Sequence, residues 1–354
     1  MIDWLTCRIP VMLPRPIKGG ETIILDAAGE VRRVVAHVLP VLGSFEARCV
    51  IRAPGTAELE VSGNLVKFLQ GHNLYGPDSL SGLLWAALER IQGVEGVLPC
   101  PLAQMGLTGP HSLSEAIVTR VDCTHMFTLP TKSDVLAWLR AASSTGFLSH
   151  RGRGVWREGT LVFGGGEKKS NVSTQIVLYS KGQEVEDHKL PELMRADTDV
   201  IHWVDRCLRA EVRLCRLSLK KYGLRRLGNW SEETPDIMWR QEMAKLDFNA
   251  GKPSDETVLK LPMHLRQTYA AWMTGQDMRQ MMSKATFYRR RAELRGLVQV
   301  DIALPPEDPV SMAQPAGVVP LRRTLEAVPA GRPAWANDLD ARLRAAGATV
   351  LQAA

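Results

Sequence analysis

The chain has 354 residues, 45% hydrophobic and 23% charged, enough for two globular domains with a substantial buried core. A formal net charge of +6 and an isoelectric point near 9.0 suit a polyanionic partner. No stretch approaches the ~18 uninterrupted apolar residues of a membrane span, and MIDWLTCRIP lacks a charged-then-apolar leader, so a soluble, cytoplasmic protein with no membrane partner is expected.

The six cysteines form no CxxC pair and no His-linked zinc spacing, which argues against a zinc module and fits a reducing compartment. The basic surplus is clustered. Arg206–Arg226 holds eight Lys/Arg against one acid, and Lys284–Arg295 holds five against one, the footprint of a nucleic-acid partner.

Residues 1–225 alternate short β-like runs with a few helices and form the first predicted domain. The runs are Leu5–Pro10, Val31–Leu42, Ala47–Arg52, Glu58–Ser62, Ala116–Thr124, Leu161–Phe163, Gln175–Tyr179 and Leu208–Leu214. Helical periodicity covers Leu80–Gln92 and Ser133–Ala142, the latter with Ser133 as a candidate N-cap. The pattern predicts an α+β domain with a central antiparallel sheet flanked by helices.

Three of these strands carry acids on their polar faces. Glu58 and Glu60 lie opposite Leu59, Asp122 shares a face with Arg120 and Thr124, and Glu211 sits between Arg209 and Arg213. Hard oxygen donors from neighbouring strands are how proteins hold Mg²⁺ or Mn²⁺, which polarises a scissile phosphate. Solvated Arg–carboxylate ladders are the other reading of the same residues. Between the first two of these strands lies Lys67–Gly76, KFLQGHNLYG. Its Gln70, His72, Asn73 and Tyr75 stand out: either His72 and Asn73 contact DNA or orient Tyr75, or the run is a structural turn leading into the helix at Leu80.

The segment Gly159–Glu184 reads as strand, Gly-rich turn with Lys168 and Lys169, and second strand. Alternation places Tyr179 and Lys181 on one side. A phenol beside an ammonium on a rigid strand has the chemistry to attack a phosphodiester and retain the phosphate. The alternative is a β-favouring aromatic half-buried in the sheet. The rival, Tyr222, follows Lys220-Lys221 and lacks a strand context. An Arg-His-Arg constellation of the tyrosine-recombinase type is not found.

Residues 226–303 form the second predicted domain, small and all-α. LPMHLRQTYAAWMTGQDMRQMMSKATFYRRRAEL reads as helix, Gly275 turn, second helix Asp277–Met282, and a third helix capped by Ser283. That is helix-turn-helix grammar, with Lys284, Thr286, Tyr288, Arg289, Arg290 and Arg291 as candidate DNA contacts. Lys168, Lys169, Arg209 and Arg213 are candidate contacts from the first domain. Residues 304–354 form a Pro/Ala-rich tail with one short helix, Ala334–Ala345, that is either loosely ordered or a docking segment.

The LQGHNLYG run resembles the signature of the rolling-circle replication initiators of filamentous phages (inoviruses), a phage and plasmid replication protein family. The MID start at Met1–Leu5, the RxD strand at Arg120–Asp122, the YxK strand at Tyr179–Lys181, RxExR…LKxxGL at Arg209–Leu224 and FYRRR…L at Phe287–Leu294 occur in the same order. The resemblance spans residues 1 to about 305. The RxD and YxKxxE elements are also similar to those of origin-nicking plasmid initiators. It implies a nickase/relaxase-like catalytic domain in which Tyr179 attacks one origin strand, is linked to the 5′-phosphate, frees a 3′-OH and later rejoins the displaced strand. It also implies Asp122, Glu60 and Glu211 as metal-site acids, origin DNA in double- and single-stranded form as partner, and host helicase and polymerase as further candidates. Related nickases carry a His-hydrophobe-His pair that this chain lacks. His125 falls on the strand face opposite Asp122 unless a bulge intervenes. A non-enzymatic helix-turn-helix regulator is the alternative from another class. It leaves the sheet, its acids and Tyr179 without a task.

Overall fold

The computed structural model describes residues 1–148, 152–157, 159–164, 173–188, 190–247, 258–298, 300–303 and 330–351. Its strands are β1 (Ile2–Pro10), β2 (Glu21–Leu25), β3 (Val31–Ala36), β4 (Leu39–Leu42), β5 (Arg48–Arg52), β6 (Glu58–Gly63) and β7 (Ile117–Thr128), followed by β8 (Phe147–Leu148), β9 (Gly152–Arg153), β10 (Val155–Arg157), β11 (Thr160–Phe163), β12 (Thr174–Ser180), β13 (Cys207–Cys215) and β14 (Leu246–Asp247). Nine of them form one antiparallel sheet in the order β10-β11-β12-β13-β7-β1-β6-β5-β4. The run expected as a single strand over Val31–Leu42 breaks at His37-Val38. Its first part pairs with β2 in a separate exposed ribbon, and its second joins the main sheet.

Strand alternation gives the sheet two unlike faces. Ile176, Leu178, Leu208, Ala210, Val212, Val121 and Cys123 are buried on one side. This face packs under α3 (Lys132–Thr145) and α7 (Thr234–Met243), which contribute Trp138, Leu139, Met238 and Trp239 to the same core. Helix α3 is capped by Thr131, whose side chain accepts the Asp134 N–H, rather than by Ser133. Residues 234–247, expected with the helical region that follows, pack instead into the sheet domain: the Trp239 indole donates to the Ala210 carbonyl at 3.0 Å, and β14 pairs with β8. Tyr222 lies on this side, its hydroxyl donating to Glu242.

The opposite face is polar and carries Tyr179, Arg209, Glu211, Arg213, Thr124, Asp122 and Arg120. A second, smaller core covers one end of it. Helices α1 (Leu65–Gln70) and α2 (Leu80–Gln92) pack in the main core, and the turn between them brings Leu74 and Tyr75 to the second one. The helices α4 (Lys181–Asp187), α5 (Glu192–Arg195) and α6 (Thr198–Asp205) run between β12 and β13. Leu74, Tyr75, Met126, Met194, Val200, Val204 and Cys207 pack with Ala336, Leu339 and Leu343 of the C-terminal helix Ala336–Ala345. The tail helix is thus docked. Residues 304–329, the Pro/Ala-rich stretch before it, lie outside the described residues.

Residues 258–303 build a third core of their own from Leu261, Leu265, Tyr269, Trp272, Phe287 and Leu294. Helices Met263–Met273 and Lys284–Val298 form as anticipated, and Ser283 caps the second through the Thr286 N–H at 3.3 Å. The expected middle helix over Asp277–Met282 is a series of turns: Asp277 engages the backbone of Arg279 with its side chain, an arrangement that competes with helix formation.

Candidate active site

The centre of the polar face is assembled from four adjacent strands. Tyr179 lies opposite Arg209, Glu211 opposite Thr124, Arg213 opposite Asp122, and Asp122 opposite Trp4. The half-buried Tyr179 hydroxyl donates to Glu211 Oε1 at 2.6 Å. Arg209, with no exposed surface, contacts Glu211 at 3.2 Å and Asp3 at 2.7 Å. Arg213 bridges the two neighbouring acids, at 2.9 Å from Glu211 and 3.5 Å from Asp122. Arg120 donates twice to Asp122, at 2.8 and 2.5 Å, and its guanidinium lies over the Trp4 ring.

Asp3 belongs to this centre although strand alternation alone would turn it away. A β-bulge in β1 between Ile2 and Trp4 leaves Asp3 as the extra residue and re-aims it toward Arg209. The only sequence sign of Asp3 was the MID start shared with the initiator family.

Lys181 reaches the same cluster from the other side. Ser180 ends β12 and caps α4 through the Gln183 N–H, so Lys181 opens a helix instead of continuing the strand. Its buried ammonium donates to Asn73 Oδ1 at 2.8 Å and pairs with Glu184 at 2.6 Å. Gly182 is required next to it: a Cβ there would lie 2.4 Å from Asp205 Oδ1, at the end of α6.

The LQGHNLYG run is the scaffold of this arrangement. Gly71 takes φ +83° as the left-handed cap of α1, and a Cβ there would lie 2.3 Å from the Phe45 ring. Gln70 donates to the Tyr75 carbonyl at 2.7 Å, closing the turn, and the Leu74 N–H donates to His72 Nδ1 at 3.2 Å. Asn73 is the hub. Its amide donates to Asp3 at 2.8 Å, its side-chain oxygen accepts Lys181, and its backbone carbonyl accepts Arg209 at 2.5 Å. Of the two readings left open for the run, these contacts are those of a structural turn that also orients charged groups.

The charges are balanced, with Asp3, Asp122, Glu184 and Glu211 against Arg120, Lys181, Arg209 and Arg213. Burial pushes the Tyr179 phenol well above its ordinary range, reinforced by Glu211, Asp3 and Glu184 and opposed by Arg209. Burial also raises the Asp122 carboxyl, with Glu211 adding to it and Arg120 and Arg213 opposing. For Glu211, burial is outweighed by Arg213, Arg209 and the Tyr179 hydroxyl, which hold its carboxyl below the usual range. Lys181 is lowered by burial and by Arg209. Arg209 is the cross-strand partner of Tyr179 and the cation that opposes its shift, while Lys181 is tied to Asn73 and Glu184.

The three acids singled out for a metal do not converge. Asp122 and Glu211 are neighbours, but Glu60 lies opposite Arg8, some four residues or ~13 Å along β1 from Trp4, and pairs with Arg52 at 3.0 Å. Among the described residues no three His, Cys, Asp or Glu side chains are grouped to hold an ion. Because Arg120 and Arg213 occupy the oxygens of Asp122 and Glu211, the pair as arranged does not fit a divalent ion. His125 faces the other side of the sheet, against Trp239 and 3.1 Å from Asp236, as its spacing from Asp122 indicated. Lys168 and Lys169 lie outside the described residues.

Residues 1–233 match the family model for the N-terminal part of a phage replication-associated protein, and residues 254–339 match the model for its C-terminal part. The chain belongs to this replication-associated protein family. It is 34% identical over 352 residues to the replication-associated protein of Enterobacteria phage I2-2, covering 96% of this chain and 97% of that one. No solved structure matches it. The resemblance to phage replication initiators carried by LQGHNLYG and the short motifs is thus family membership over nearly the whole chain. No helix among the described residues is long and apolar enough to cross a membrane.

Within the stretch matched by the C-terminal family model, the basic helix divides its side chains. Lys284, Tyr288 and Arg289 are exposed. Arg290 donates to the Thr268 hydroxyl at 2.9 Å, and Arg291 is held in a two-point pair by Asp301 at 2.6 and 2.7 Å. Thr286 is half-buried beside its capping Ser283. Two of the arginines expected at DNA are therefore tied within the fold.

Proposed function

We propose that this chain starts rolling-circle replication of circular phage DNA as a site- and strand-specific endonuclease with Tyr179 as nucleophile. The observation that supports this reading most is the Tyr179–Glu211 hydrogen bond, set among guanidinium groups on the polar face of the sheet in a replication-associated protein. The Tyr179 oxygen attacks the phosphorus, the bond from phosphorus to O3′ breaks, O3′ takes up a proton from solvent as the phenol gives one up, and the products are a 5′-phosphotyrosine and a free 3′-OH. The link retains the energy of the cleaved bond, so attack by a 3′-OH on the phosphotyrosine reverses the step and rejoins the displaced strand without a nucleotide cofactor.

Glu211 is placed to take the phenolic proton. In the free protein both partners resist that transfer, since the phenol is raised and the carboxyl lowered. A phosphate arriving on this face competes with Glu211 for Arg213, whose guanidinium is partly exposed. Losing part of its pairing raises the basicity of Glu211 while the guanidinium groups stabilise the charge on the phosphoryl oxygens. Substrate thus switches on its own general base.

Exposed Lys284, Tyr288 and Arg289 form the proposed duplex-binding surface of residues 258–303, leaving the sheet face for the strand to be cut. The 3′-OH is the primer for a host polymerase. The test is incubation with supercoiled origin DNA and Mg²⁺ or Mn²⁺. Nicked circles with protein attached, absent for Tyr179→Phe, support the enzyme. Tight binding without cleavage supports a regulator.

A further inference from the structure

The C-terminal segment 330–351 is far from Tyr179 in sequence but joined to its supports in space. The Tyr75 hydroxyl donates to Asp340 Oδ1 at 2.7 Å. Arg332 also pairs with Asp340, and its guanidinium lies over the Tyr75 ring, 4.6 Å from the centroid. The Ala330 N–H donates to the Met126 carbonyl at 2.7 Å, on the stretch of β7 beyond the start of β1, and the Thr349 N–H donates to the Leu69 carbonyl at 3.0 Å. Arg342 pairs with Asp197, the N-cap of α6, at 2.7 Å. Residues 330–333 also wall a cavity of about 200 Å³ that reaches Thr124, the cross-strand partner of Glu211.

We infer that this segment is a working part of the active centre, with Tyr75 and Asp340 as positioning residues. The inference rests on the nicking reading above. The coupling runs through short, named contacts. Asp340 and Arg332 fix Tyr75; Tyr75 closes the turn with Gln70 and lies two residues from Asn73. Asn73 in turn sets Arg209, Lys181 and Asp3 around Tyr179. His72, buried inside the turn, packs its ring against Tyr75 at 4.7 Å, so the turn has no room to shift independently of that ring. Freeing the latch lets Asn73 drift, and a displacement of ~1 Å at groups that orient a nucleophile is enough to cost up to ~100-fold in rate. The Tyr of LQGHNLYG is on this account neither a DNA contact nor a nucleophile.

The test uses full-length protein and single-turnover cleavage of a single-stranded oligonucleotide spanning the nick site, with origin-duplex binding measured in parallel. Asp340→Ala is expected to lower the maximal cleavage rate at least ~10-fold with half-saturation and duplex binding within about twofold of wild type. Asp340→Asn, which keeps the acceptor oxygen, is expected to restore most of the rate. Tyr75→Phe, which removes only the hydroxyl, is expected to reproduce the Asp340→Ala loss, and it decides the matter should Asp340→Ala fail to fold. Wild-type rates from folded Tyr75→Phe or Asp340→Ala overturn the inference, as does a loss that Asp340→Asn shares in full. Cleavage by Tyr179→Phe, or none by wild type, is a different result: it removes the nicking reading itself.

Discussion

Tyr179 and Glu211 sit on adjacent strands, two residues off direct register, and share a hydrogen bond of 2.6 Å on the polar face of the sheet. Glu211 is in turn held by Arg209 and Arg213, and the partly exposed Arg213 is a group that an incoming phosphate would seek. Replacing Glu211 by Gln keeps the shape and removes the proposed proton acceptor. Its cleavage rate should fall by about 10²–10³, with duplex binding intact in a gel-shift assay.

Arg209 has no exposed surface and answers to Asp3, Glu211 and the Asn73 carbonyl. Arg209→Met fills the volume but strands two buried carboxylates. The variant should lose about 3–5 kcal/mol in urea unfolding. A loss near zero would mean that those acids are solvated.

Glu60 is expected to be dispensable for cleavage, because it pairs with Arg52 well away from Asp122 and Glu211. Glu60→Ala should cut at the wild-type rate across a Mg²⁺ and Mn²⁺ titration. A shifted metal requirement would return Glu60 to the site.

Sequence alternation put Arg209, Glu211 and Arg213 on one side of their strand and Asp122 with Arg120 on one side of theirs, because period-2 geometry is local and holds wherever a strand forms. It misplaced what depends on irregular backbone. Asp3 reaches the site through a bulge, and Lys181 through a strand that turns into a helix at Ser180. Glu60 looked equivalent to Asp122 because a face pattern says nothing about how strands are staggered. The docking of Asp340 on Tyr75, 265 positions away, left no local trace at all.

Two histidines withdrawn from solvent add to the acid sensitivity of the fold. Burial, then Lys181 and Arg332, lowers His72 to about 3, and burial with the N-terminal ammonium lowers His125 to about 4. Unfolded histidine takes up a proton below pH ~6.5, whereas the folded chain does not until these lower values, so the unfolded state binds more protons in that window. Stability should therefore fall as pH drops from ~6.5 toward 4, by roughly 2 kcal/mol per histidine at pH 5. Urea unfolding of His72→Gln should show a shallower dependence than wild type.

In the C-terminal region, Lys284→Ala and Arg289→Ala should each weaken duplex binding and reduce the slope of log affinity against log salt by about 1. Arg291→Ala should instead lower the melting temperature, since its partner is Asp301.

The most direct measurement is mass spectrometry of the protein after reaction with a single-stranded origin oligonucleotide. A 5′-phosphorylated fragment on the peptide containing Tyr179, with no adduct formed by Tyr179→Phe, is the predicted result. An adduct on Tyr222, or cleavage that leaves no protein attached, would contradict the account.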